Sequence, residues 1–154
     1  MATYAKDTQV TVDKSKAEIE RILTRYGATA FMQGWDQERA VLAFAIQGRQ
    51  IRMVVPMPAK EEFRYSPERR NKRTDAAMLA AWEQGCRQRW RALALVVKAK
   101  LEAVEAGIST LETEFLAHTV LPNGETVAQF MLPQIRVAYE TGLMPALLPS
   151  GNSP

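Results

Sequence analysis

Apolar residues recur along this chain with two different periods, and the switches between them divide it into elements. Ile19, Ile22 and Leu23 follow helical spacing within residues 14–26. Asp13 or Ser15 can cap that helix and Gly27 can stop it. The period then shortens to two. Residues 28–32, 40–47 and 50–57 read as three strands, and Gly48-Arg49 suits a two-residue turn with Gly first, so the last two strands form a hairpin. Leu42, Phe44 and Ile46 share one side of the middle strand, and Val41, Ala43 and Ala45 the other. Both sides are apolar, so the sheet is expected to be covered on both faces, with a helix or a partner close against the smaller residues.

A long helical stripe comes later. Leu79, Trp82, Cys86, Trp90, Leu93, Val97, Leu101 and Val104 follow spacings of three and four within residues 75–106. This predicts a single helix capped by Thr74 and stopped by Gly107. Gly85 inside it marks a bend or a close contact. Ser109-Thr110-Leu111-Glu112 has the pattern of a capping box and opens a helix carrying Leu111, Phe115 and Leu116, in a segment that the Pro122-Asn123-Gly124 turn ends. A last helix over residues 126–141 is expected to bury Val127, Phe130, Met131, Ile135 and Tyr139, with a kink at Pro133.

The fold class is therefore α+β. It comprises an N-terminal helix, a three-stranded antiparallel sheet, one long helix and a C-terminal helical pair. Residues 1–149 form one domain and residues 150–154 a polar, disordered tail. Residues 143–149, broken by Pro145 and Pro149, are expected to pack as an irregular strap. Residues 1–12 read as a loose arm or short edge strand.

Charge changes the picture more than composition does. Apolar residues make up 47% of the 154 positions, which suffices for a sizeable core. Residues 1–59 carry a net charge of +2, residues 60–100 of +6 and residues 101–154 of −5. The basic middle centres on a polar connector, residues 59–74. There Ser66-Pro67-Glu68 can start a short helical turn, and residues 69–73 are expected to be exposed and mobile. Arg64, Arg69, Arg70, Lys72 and Arg73 are candidate phosphate contacts, with Phe63 and Tyr65 interleaved as stacking rings. On the long helix Arg87, Arg91 and Lys98 fall within about 40° of one another, which makes Arg87 and Arg91 candidates for a second row. The competing reading pairs these bases internally with Glu102, Glu105, Glu112 or Glu114.

Other chemistry is sparse. Cys86 and His118 are the only residues of their types, which excludes an intramolecular disulfide and a zinc site of the usual kind. Cys86 on the apolar stripe reads as a buried thiol, and no phosphate-binding glycine motif is present. Trp82 and Trp90 read as core, and Trp35, in a loop, as an exposed contact. No apolar run is long enough for a secretion signal or a membrane span, so a cytoplasmic location without a membrane partner is expected. No enzyme and no cofactor are expected.

Two resemblances add context. The order helix, three strands, helix, with Asn71-Lys72-Arg73 ahead of the last helix, resembles the double-stranded RNA-binding domain. That family's Lys-Lys-x-Ala-Lys pattern and middle-loop His are absent here. The segments RQRWRALALVVKAKLEAVEAGI and LPNGETVAQFMLPQIRVAYETGLMPALLP resemble those of small bacteriophage- and prophage-encoded proteins of unknown function. This second resemblance implies a mobile-element setting. It points to a non-enzymatic accessory protein that binds nucleic acid through its basic middle, or alternatively to a protein–protein module that inhibits a host defence or replication component. DNA, RNA and an acidic host protein all fit as partners, and a homo-oligomer is compatible with the long stripe.

Overall fold

The computed structural model describes residue 5, residues 7–36 and residues 38–144. Residues 145–149 of the expected strap at 143–149, the tail at residues 150–154, and residues 1–4 and 6 of the N-terminal arm lie outside these. The element order is α1 (Val12–Arg25), β1 (Ala30–Trp35), β2 (Arg39–Ile46), β3 (Arg49–Pro56), a 3₁₀ turn (Lys60–Phe63), α2 (Asp75–Glu105), α3 (Leu111–Glu114), a second 3₁₀ turn (Leu116–His118) and α4 (Val127–Thr141). The sheet is antiparallel in the order β1-β2-β3, and the α+β architecture is as expected.

Local chemistry sets the element ends. Thr11, not Asp13 or Ser15, caps α1: its hydroxyl accepts the Lys14 N–H at 3.2 Å. The helix starts too early for the other two to serve, and Ser15 instead points into the core with 0% exposure. The β2–β3 turn is Gln47-Gly48, one residue earlier than predicted, with Ile46 paired to Arg49. Both turn residues have positive φ, 48° and 73°. That left-handed pair matches the twist of the strands and places glycine second. Thr74 caps α2 as expected, accepting the Ala77 N–H. Gly85 marks a close contact: a Cβ there would lie 2.7 Å from Cζ of Phe63.

Alternation along β2 decides the core. Leu42, Phe44 and Ile46 turn inward, joined by Ile51 and Met53 of β3. They share one cluster with Ile19 and Leu23 of α1, with Trp90, Leu93, Ala94, Val97 and Leu101 of α2, and with Leu111 and Phe115. The Phe44 and Phe115 rings meet edge-to-face at 5.6 Å, an arrangement aromatic quadrupoles favour. Only the C-terminal part of the α2 stripe enters this core. Its first turns leave Leu79 41% exposed.

On the far side of the sheet no described helix covers the smaller residues, and the expected burial along α4 is not found. The outward face, with Met32 and the small residues Ala43 and Ala45, keeps an open groove of about 330 Å³. The C-terminal segment reaches that region only at its margin. Val120 N–H donates to Gln50 O at 2.8 Å, and the Arg52 guanidinium donates to Gly124 O at 2.7 Å. α4 is well capped by Thr126 and Gln129 and ends at left-handed Gly142, and it runs through Pro133 as one helix. Yet it buries none of its residues, and Tyr139 is 88% exposed. The predicted burial of Val127, Phe130, Met131, Ile135 and Tyr139 is thus corrected. Helical periodicity sets an apolar face but not what lies opposite it.

Ser15 Oγ has no hydrogen-bond partner although it is fully buried. An unpaired buried hydroxyl costs about 1–3 kcal/mol. Ser15→Ala should therefore raise stability by about 1 kcal/mol, read as a higher urea midpoint with an unchanged slope.

Candidate nucleic-acid interface

The connector is built as a closed loop. Arg73 N–H donates to Arg64 O at 2.7 Å and Ser66 N–H to Asn71 O at 2.9 Å. Tyr65 and Lys72 form an antiparallel bridge between them. Arg69 N–H closes a turn onto Ser66 O at 2.7 Å, with Pro67 at the position where its fixed φ suits a β-turn. The expected helical turn at Ser66 does not form, and the expected mobile run is instead pinned by main-chain hydrogen bonds. Arg69 has a φ of 55°, a region that glycine enters more cheaply than any branched residue.

Five cations serve this loop in two ways. Arg64 and Arg73 hold its base. The Arg73 guanidinium donates to Phe63 O at 3.0 Å and to Tyr65 O at 2.9 Å. Arg64 donates to Asp75 Oδ1 at 2.8 Å. Arg69, Arg70 and Lys72 stand at the tip. They are exposed and make no ion pair among the described residues, and Tyr65 beside them is 53% exposed. Glu68 is the one acid among residues 64–73.

The second row is spent on the fold. Arg91 binds Glu18 of α1, with both side chains about a quarter exposed. Arg87 Nε donates to Gln84 Oε1 at 2.9 Å, and Lys98 lies 3.9 Å from Glu102. Lys100 donates to Glu114 O at 2.9 Å. Two of the four downstream glutamates thus take up bases of the long helix. Glu18 was outside the anticipated set because α1 and α2 meet only in three dimensions.

A second feature was only half legible. Trp35, Trp82 and Trp90 line one cleft of about 840 Å³ between the start of α1, the β1–β2 loop, the first 3₁₀ turn and α2. Trp90 is buried, and Trp82 is partly buried with its indole N–H on Pro58 O at 2.8 Å. Trp35 is 73% exposed. Lys60 Nζ sits 4.7 Å from the Trp82 ring centroid and Lys16 Nζ 4.9 Å from that of Trp90, both within cation–π range. Lys16, Lys60 and Arg87 face Asp36, Glu38, Glu61 and Glu83 around the walls, so the cleft has no cationic excess. Asp36 is occupied: its carboxylate accepts the N–H groups of Glu38 and Arg39, which hold its pKa below the usual carboxylate range.

The two singular residues stay apart. Cys86 lines the tryptophan cleft, and burial pushes its thiol pKa up. His118 lies near Lys100, fourteen positions further along α2, or about 21 Å at the helical rise of 1.5 Å per residue. Burial first, and then the Lys100 charge, push the His118 pKa down. No group of three or more His, Cys, Asp or Glu among the described residues is placed to hold a metal ion. No described helix is long and apolar enough to cross a membrane. No family model, curated protein or solved structure matches this chain.

The lowered His118 pKa gives a signed pH dependence. The unfolded chain takes up this proton more readily than the folded one. The histidine's contribution is therefore fully present above its ordinary value near ~6.5 and is lost as the pH falls below it. Urea midpoints should drop between pH 7.5 and pH 5.5, and His118→Gln should shrink that drop.

Proposed function

We propose that this protein is a non-enzymatic accessory protein that binds nucleic acid through the tip of the 64–73 loop. The observation carrying this reading is the division of labour among its cations. Arg64 and Arg73 are consumed in shaping the loop, while Arg69, Arg70 and Lys72 are exposed and make no ion pair among the described residues. Exposed cations on a pre-shaped loop meet phosphates at little ordering cost, and Tyr65 offers a ring for stacking on an unpaired base. Arg87 and Arg91, engaged with Gln84 and Glu18, act in this reading as structural cations.

A second reading is a protein-binding module that blocks a host defence or replication component. The tryptophan cleft favours it, because its aromatic walls do not depend on the loop charges. It predicts a partner whose affinity survives charge reversal at the tip.

Fluorescence anisotropy of labelled oligonucleotides at two salt concentrations tests the first reading. Binding should weaken steeply with salt and show little sequence preference. The triple substitution Arg69→Glu, Arg70→Glu, Lys72→Glu should lower affinity at least tenfold and flatten the salt slope by about two, without altering the far-ultraviolet spectrum. Arg91→Ala should leave affinity unchanged while costing roughly 1 kcal/mol of stability. No binding at low salt would refute the reading.

A further inference from the structure

α4 is a complete helix without a core of its own. Both ends are capped, yet it buries no residue. Val127, Phe130, Met131, Gln134 and Ala138 are among its half-buried residues and lie on one face. A different stripe points away. At 100° per residue, Ile135, Tyr139 and Leu132 fall within about 60° of one another. They are 42%, 88% and 59% exposed, and Leu143, just past the Gly142 stop, is 71% exposed. Arg136 and Glu140 flank this stripe, and neither makes an ion pair among the described residues.

We propose that this stripe pairs antiparallel with the same stripe of a second copy of the chain about a two-fold axis. The sequence of α4 is self-complementary in that arrangement. With the axis passing beside Val137, Ile135 faces the mate's Tyr139 and Leu132 faces the mate's Leu143. The same register sets Arg136 opposite the mate's Glu140, and by symmetry Glu140 opposite the mate's Arg136. The three pairs share one centre to within a residue. An isologous contact requires this: each residue must find its counterpart under the same rotation. A parallel alignment would instead set Arg136 on Arg136 and Glu140 on Glu140, which like-charge repulsion disfavours. The charges favour the second copy over an arbitrary apolar partner, because under the two-fold each Arg136 and each Glu140 meets its opposite on the mate.

Sedimentation velocity of the full chain over a range of concentrations tests the proposal. A monomer–dimer equilibrium is expected, and Ile135→Glu should shift it to monomer with the helical circular-dichroism signal intact. Arg136→Glu alone and Glu140→Arg alone should each weaken self-association by at least about tenfold, since each creates like-charge pairs across the axis. Mixing these two variants should restore the dimer, because one copy then carries acids at both positions and its mate bases at both. This mixing test holds even if Ile135→Glu fails to fold. A chain that stays monomeric at every concentration would overturn the proposal. A dimer indifferent to Ile135→Glu, or single variants that mixing does not rescue, would overturn it in favour of another contact such as the outer sheet face.

Discussion

Leu42, Phe44 and Ile46 on the central strand, Ile51 and Met53 beside them, and the stretch from Trp90 to Leu101 on α2 share one dry layer, which Phe115 closes from the C-terminal side. Because that layer uses only one face of the sheet and only the later turns of α2, the rest of the molecule is arranged by what it leaves over. The early turns of α2 extend past the core and form one wall of the tryptophan cleft. The loop at residues 64–73 is rooted at their start. The outer sheet face and α4 remain outside the layer.

The distribution of charge follows from the same constraint. Bases on the later turns of α2 lie close to α1 and to α3, where Glu18 and Glu114 meet Arg91 and Lys100. Such partly exposed pairs contribute little stability individually, but they remove those bases from the surface available to a polyanion. Arg69, Arg70 and Lys72 make no ion pair among the described residues, and Glu68 is the one acid within their loop. A net charge of +6 over residues 60–100 thus resolves into a structural group and a much smaller projecting group.

Much of the fold was legible because it rests on local rules. Thr74 announces α2, the alternation in β2 announces a strand, and Gly27, Gly107 and Gly142 all take the positive φ that ends a helix. Misplaced details share a cause. Ser15 and Thr11 are both competent caps, and only the start of α1 distinguishes them. Gln47-Gly48 displaces Gly48-Arg49 because strand register, not the turn alone, selects which two residues leave the ladder. The loop itself was visible as a cluster of bases, but its closure depends on main-chain pairs seven and nine residues apart, Tyr65 with Lys72 and Arg64 with Arg73.

The sequence by itself determined the element types, the length of α2 and the basic character of its approach. These depend on periodicity, capping and composition, which act over a few residues. The tertiary structure alone decided which face of the sheet turns inward, that Arg91 is tied to Glu18, that three tryptophans converge on one cleft, and that no residue of α4 is fully buried. Those outcomes depend on which surfaces meet across dozens of residues, and the chance of contact between distant side chains is not encoded in the spacing around either one.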